Sequence, residues 1–81
     1  MKALKAIGAR VVNIREPIDL LIGFRGATHL MEVKTPSPGR PRGELTQQQQ
    51  DFIAKWNGGP MWVVASVSEA IEAIVGKEAM R

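Results

Sequence analysis

The sequence contains no cysteine, one histidine and no long apolar run. Without cysteine, neither a disulfide framework nor a thiolate zinc site can stabilise the fold. The single histidine, His29, excludes a multi-histidine metal centre within one chain, and we expect it at the surface or half-buried. No apolar run could span a bilayer, and the opening residues are too short and interrupted for a secretory signal. We therefore expect an intracellular, cytoplasmic protein with no membrane partner.

Length and charge narrow the class of protein further. The 81 residues fit one domain at the small end of what buries a self-sufficient core. The net charge of +3 is basic in sign, which suits a polyanionic partner without requiring one. A core this small often gains stability by association, so a homodimer is expected, and two sites could then address two strands of a duplex.

The most informative pattern is a predicted β-hairpin in the first half of the chain. Two apolar runs, residues 18–24 and 29–33, flank a polar break that contains glycine. Three ionisable residues lie within or beside these runs: Asp19, Glu32 and Lys34. Suppose that the first two residues of the break form the turn. Pairing the residues of the two strands outward from this turn then places Asp19 directly opposite Glu32. A slip of one residue would move Asp19 to the other face of the sheet.

Two carboxylates that face each other across a pair of strands repel, unless a positive charge lies between them. A divalent cation would provide it, and hard oxygen ligands suit Mg²⁺ or Mn²⁺. Because alternate residues share a face, Lys34 projects on the same side as Glu32. Its charge could orient an attacking water or stabilise charge on a phosphate. On spacing alone, the commoner case is a surface hairpin with a polar face and a weak ion pair.

The flanking sequence carries a family resemblance. Asp19 at a strand start, a turn, and then Glu32-Val33-Lys34 inside an apolar strand closely resemble the core of PD-(D/E)XK nucleases. The order of the following motifs is similar to the small phage and bacterial stand-alone type of the VRR-NUC family, and the resemblance covers about residues 8–75. These motifs are Pro36 after the lysine, a Gly- and Arg-rich loop, Leu45-Thr46 opening a glutamine-bearing helix, a strand that ends in Val63-Val64-Ala65-Ser66-Val67, and a last short helix.

The resemblance implies a fold and an activity. The fold would be α/β, a single nuclease-like domain over residues 1–81 with a restriction-endonuclease-like core. A mixed β-sheet flanked by helices would follow the order α-β-β-β-α-β-α. The activity would be Mg²⁺- or Mn²⁺-dependent hydrolysis of DNA phosphodiester bonds, with junctions or flaps as family-level substrates. Small stand-alone members are often homodimers, and the setting would be the cytoplasm of a bacterium or a phage-infected host cell.

The resemblance also implies roles for individual residues. Asp19 and Glu32 resemble the metal-binding acids, and the Val33 carbonyl would be an additional ligand. Lys34 resembles the catalytic lysine. Gln49 resembles the glutamine that follows the catalytic strand on the next helix.

The second predicted helix allows more than one interpretation. Thr46 and Gln49 have the spacing of a capping box, which would fully explain Gln49 without a catalytic role. Both roles remain open. Phe52, Ile53 and Trp56 form an apolar stripe that we expect to face the sheet as core rather than to serve as a base-stacking platform.

The segment after Lys34 is rich in proline and glycine and is predicted to be a loop. It contains Arg40 and Arg42, whose guanidinium groups could clamp phosphates. Because the loop leaves the strand beside the predicted site, we interpret it as a nucleic-acid-binding lip. The alternative is a flexible connector.

Two departures from the family pattern keep other functions open. Ile18 separates Pro17 from Asp19, where the family has proline directly before the aspartate, and the first helix is short. The main hypothesis is a metal-dependent DNA endonuclease. The alternative is a non-catalytic nucleic-acid-binding module with a degenerate nuclease fold. A small structural or interaction protein is the third candidate.

Overall fold

The computed structural model describes residues 2–34, residue 38 and residues 44–76. The elements are α1 (Lys2–Ala6), β1 (Arg10–Asn13), β2 (Leu20–Phe24), β3 (Ala27–Val33), α2 (Gln47–Lys55), β4 (Met61–Val64) and α3 (Val67–Ile71). A π-helical segment, Glu72–Gly76, continues α3 and is absent from the predicted order. No helix in these ranges is long and apolar enough to cross a membrane.

The four strands form one mixed sheet in the order β1-β2-β3-β4. The pairs β1–β2 and β2–β3 are antiparallel, whereas β3 and β4 run parallel. Parallel neighbours need a crossover connection, and the stretch that contains α2 provides it. The predicted α/β class with a mixed sheet is therefore confirmed.

The β2–β3 hairpin has the predicted register. Its two-residue turn places Arg25 and Gly26 at φ 50° and 80°, the left-handed conformation required at both positions of a type I′ turn. Phe24 consequently pairs with Ala27, and the ladder extends to the Leu20–Met31 pair. One further step in the same register places Asp19 opposite Glu32.

The hydrophobic core lies on one face of the sheet. Alternate residues of β2 are buried on this face, and α1 and α3 supply side chains that pack with them. The other face of β2 is less covered, since Leu21 is half-buried and Gly23 is exposed. The buried cluster consists of Leu4, Ala9, Val11, Leu20, Ile22, Phe24, Met31, Val64, Ala70 and Ile74.

Helix α2 does not join this core, and the prediction that its apolar stripe would be core is wrong. No α2 residue is buried, Phe52 and Ile53 are half-buried, and the Trp56 side chain that follows the helix is 39% exposed. The core positions are filled by α1 and α3 instead. The α2 stripe therefore lies near the surface.

The turn between α2 and β4 is packed too closely to accept a side chain at Gly59. The Trp56 indole N–H donates a hydrogen bond to the Gly59 carbonyl (2.6 Å), and the Leu30 amide donates to the Pro60 carbonyl (2.9 Å). A Cβ atom on Gly59 would lie 2.6 Å from the Thr28 carbonyl oxygen. Since that oxygen belongs to the backbone of β3, it cannot move aside cheaply.

We expect Gly59→Ala to lower the free energy of unfolding by about 1–3 kcal/mol, because it forces the turn away from β3. Gly23→Ala is the matched control, since its nearest neighbour would be 4.0 Å away. Urea unfolding of both variants measures the difference. Equal stability of the two variants would show that the turn is free to shift.

Candidate active site

Four of the predicted site residues meet at the end of the hairpin away from its turn. Asp19 immediately precedes β2, Glu32 and Val33 end β3, and Lys34 follows. Because β2 and β3 are antiparallel, the start of one strand adjoins the end of the other. The fold thus brings together residues that are separated by the length of the hairpin.

A reciprocal pair of hydrogen bonds joins the two acids to each other's backbone. The Asp19 amide donates to Glu32 Oε1 (3.1 Å), and the Val33 amide donates to Asp19 Oδ2 (2.9 Å). These bonds to ionised acceptors extend the connection between the strands beyond the last regular ladder pair. Both carboxylates are thereby held at one end of the hairpin.

Lys34 neutralises the more buried of the two acids. Its Nζ lies 3.1 Å from Glu32 Oε2, and the two side chains are 16% and 3% exposed respectively. A carboxylate this buried requires a charged or hydrogen-bonding partner, and Glu32 has both. The Lys34 amide also donates to the Val64 carbonyl (2.8 Å), so β4 fixes the backbone from which the ammonium extends. The sequence did not indicate this anchoring role of Val64.

The Val33 carbonyl is oriented toward the same place. The amide and carbonyl of one strand residue project from the same edge of the strand. Because the Val33 amide donates to Asp19, the Val33 carbonyl also lies on the Asp19 side of β3. Oxygen-bearing groups of Asp19, Glu32 and the Val33 backbone are therefore all present at this end of the hairpin.

This donor set suits a hard divalent cation. Mg²⁺ is commonly held by one or two carboxylates and completes its coordination with water and substrate phosphate. Both Glu32 oxygens are engaged, so a cation would share this carboxylate with Lys34 or replace the ammonium. Within residues 2–34 and 44–76, no three acidic or histidine side chains form a metal-binding group, and so these residues supply two acids at most.

The capping-box prediction for the start of α2 is confirmed. The Gln49 amide donates to Thr46 Oγ1, and the Thr46 amide donates to Gln49 Oε1, each at 3.1 Å. The Gln49 side-chain oxygen is therefore used to cap α2, and its catalytic role stays a prediction. Arg40 and Arg42 lie outside the described residues, so their phosphate-clamping role also stays a prediction.

His29 is more buried than expected. It is 6% exposed, and its Nδ1 accepts a hydrogen bond from the Trp62 indole N–H (2.9 Å). Its position two residues before Met31 on the core face is the sequence signal that could have placed it inside. The contact joins β3 to β4 and is structural.

Comparison with protein-family models, curated proteins and solved structures gives no match for this chain. Its function must therefore be inferred from its own side chains and their arrangement.

We expect Lys34→Met to lower the free energy of unfolding by about 3 kcal/mol, because it leaves the Glu32 carboxylate buried without a cation. Adding Glu32→Gln should recover much of this loss, since the unpaired charge is removed while an acceptor for Asp19 remains. Denaturant unfolding of the two singles and the double variant measures the coupling.

Lys5→Met is the control, because Lys5 is an exposed lysine on α1. If Lys34→Met and Lys5→Met had the same stability, the ion pair would contribute nothing to folding.

Proposed function

We propose that the protein is a metal-dependent endonuclease that hydrolyses phosphodiester bonds in DNA. In this proposal it has a restriction-endonuclease-like core and belongs to the VRR-NUC branch of the PD-(D/E)XK nucleases. One observation supports it above the rest. The Asp19 and Glu32 carboxylates are held together by reciprocal backbone hydrogen bonds, with the Lys34 ammonium 3.1 Å from Glu32. A solubilising surface hairpin would not bury its glutamate to 3% exposure.

Asp19, Glu32 and the Val33 carbonyl would hold Mg²⁺ or Mn²⁺. Such an ion, when bound, polarises the phosphate and makes a water molecule a stronger nucleophile at neutral pH. Lys34 would donate hydrogen bonds to a non-bridging phosphate oxygen or orient the attacking water. Its backbone pairing with β4 holds it in place for this role.

The reaction consumes one water for each bond that is cut. The water oxygen forms a bond to phosphorus while the bond from phosphorus to the leaving sugar oxygen breaks. One proton leaves the water for solvent and one is taken up by the leaving oxygen, so the products are a phosphomonoester and a hydroxyl. Negative charge accumulates on the phosphate oxygens as this happens, which is where the Lys34 ammonium contributes.

The distribution of charge supports DNA as the substrate. Acidic and basic residues are equal in number among the described residues. The positive excess of the chain therefore comes from the other residues, among them Arg40 and Arg42 shortly after Lys34 in the sequence. These arginines would bind the backbone phosphates that flank the scissile bond. From the resemblance to the VRR-NUC family, we expect the DNA substrates to be junctions or flaps.

A second copy of the chain is the other partner in this proposal. The core cluster has ten buried members among the described residues, which is small, and association would add to the stability of the domain. Two sites related by two-fold symmetry could each cut one strand of a duplex.

One observation favours the alternative, a non-catalytic nucleic-acid-binding module with a degenerate nuclease fold. The described residues offer no third acidic or histidine ligand beside Asp19 and Glu32, and the Gln49 oxygen is used by the helix cap. Such a module would bind DNA in a salt-dependent manner without cutting it.

We expect the purified protein to nick supercoiled plasmid in Mn²⁺ or Mg²⁺ and to be inactive in chelator. Lys34→Ala should reduce the nicking rate by about a hundredfold or more, the typical cost of removing one group that stabilises developing charge. Lys5→Ala is the matched control and should retain the wild-type rate. Gel electrophoresis of the nicked circles measures each rate.

Equal nicking by wild type and Lys34→Ala would disprove the role of this lysine. A salt-sensitive gel shift with no nicking by any variant would support the binding module instead.

Mn²⁺ should also stabilise the folded protein in the absence of DNA. At a concentration about 100 times its dissociation constant, a cation that binds only the folded state adds about 2.7 kcal/mol. Asp19→Asn should lose most of this gain. Its metal-free stability should be unchanged or higher, because carboxylate repulsion is removed and an oxygen remains to accept from Val33. Thermal unfolding with and without Mn²⁺ tests this, with exposed Glu72→Gln as the control.

A strongly destabilised Asp19→Asn in metal-free buffer would instead identify Asp19 as a structural residue.

A further inference from the structure

Phe52 in helix α2 and Trp56, the residue after this helix, form an aromatic pair outside the hydrophobic core. The rings of Phe52 and Trp56 stack with their centroids 5.4 Å apart and their planes 25° from parallel. Neither residue belongs to the buried core cluster, and Trp56 is 39% exposed. Large aromatic side chains normally contribute most of their stabilisation through burial, so an ordered pair outside the core calls for another explanation.

These rings line an open cleft of about 400 Å³. This volume lies in the range of small-ligand sites in proteins, which is roughly 300–1,000 Å³. The lining combines apolar surface with an amide, a carboxylate and an ammonium group, which could fix the orientation of a planar ligand. The lining residues are Pro17, Gln48, Asp51, Phe52, Lys55 and Trp56.

The Trp56 indole is held in place before any ligand arrives. Its N–H donates to the Gly59 carbonyl (2.6 Å), and its ring lies so close to Gly58 that a Cβ there would be 2.5 Å away. An aromatic group that is already ordered loses little conformational entropy on binding. Because the indole N–H is engaged, what remains for a ligand is chiefly its π surface.

The cleft adjoins the candidate active site through the chain itself. Pro17, one wall of the cleft, is two residues before Asp19, so their Cα atoms are at most roughly 7.6 Å apart. A polymer bound at Asp19 and Lys34 would therefore pass close to the Pro17 wall of the cleft.

We propose that this cleft binds an unstacked nucleobase of the DNA strand whose phosphate occupies the Asp19–Glu32–Lys34 site. The inference rests on the proposed function for the identity of that strand. The base stacks on the Phe52–Trp56 pair, Gln48 and Asp51 face its hydrogen-bonding edge, and Lys55 faces the adjoining backbone. The substrate must then contain an unpaired or extruded base next to the bond that is cut.

A second copy of the chain fits this cleft less well. A two-fold interface must be complementary to itself, so a concave patch needs a protruding counterpart within the same patch. The centres of protein interfaces are also depleted of charged residues, whereas Asp51 and Lys55 line this cleft.

The test compares two single-stranded oligonucleotides of equal length in chelator, one intact and one with abasic sugars throughout. Both carry the same phosphates, so the ratio of their affinities reports the bases alone. Fluorescence anisotropy should show that wild type binds the intact strand about fivefold to a hundredfold more tightly, the range expected for one stacked base. Phe52→Leu should bind both strands equally, because it keeps an apolar helix-forming residue but removes the ring.

Ile53→Leu is the matched control on the same helix, outside the cleft, and should keep the wild-type preference. Circular dichroism establishes that both variants are folded. A preference retained by Phe52→Leu, or no preference in wild type, would overturn the inference. So would conversion of a wild-type dimer to a monomer by Phe52→Leu in sedimentation, since the occupant would then be a second copy.

The oligonucleotide-binding experiment and the plasmid-nicking assay can fail independently of each other. Base-dependent binding without plasmid nicking would remove the proposed hydrolysis and retain the cleft. Nicking combined with base-independent binding would retain the nuclease and remove the cleft.

Discussion

The structure depends on how the chain accommodates a buried carboxylate at the end of β3. Glu32 is 3% exposed near the end of an interior strand, where an uncompensated charge would cost several kcal/mol. The Asp19 amide and the Lys34 ammonium together compensate it. Since Asp19 in turn accepts from the Val33 amide, the two strands are joined by their acidic side chains where the regular ladder stops. The contacts that compensate the buried charge of Glu32 are the same contacts that assemble the candidate site.

That arrangement requires one register of the hairpin. The turn at Arg25 and Gly26, both with positive φ, fixes the pairing of β2 with β3 and hence the position of Asp19. A turn of different length would carry Asp19 to the core face and leave Glu32 without its amide donor. The chemistry at one end of the hairpin therefore depends on the backbone conformation at the other end, and β4 completes it by pairing with the Lys34 amide.

The apolar core and the candidate site involve largely different residues. Helices α1 and α3 fill the core with apolar side chains, and no residue of the candidate site belongs to that cluster. No residue of α2 belongs to the core cluster, and Pro17, which lines the cleft with Phe52 and Trp56, is two residues before Asp19. Substitutions in α2 should therefore affect folding less than substitutions in α1 or α3, because fewer buried contacts would be lost.

Local patterns in the sequence predicted the strands and the capping box at Thr46 and, for a two-residue turn, the register of the hairpin and the pairing of Asp19 with Glu32. Each of these follows from interactions between near neighbours: the conformational demands of a two-residue turn, the alternation of side chains, and the reach of a side chain to its own backbone. The tertiary structure alone decided that α2 lies outside the core, that His29 is buried against Trp62, and that β4 anchors Lys34. An apolar stripe specifies that a helix face can be buried, but which helices fill a core depends on the competition among all of them for one sheet face.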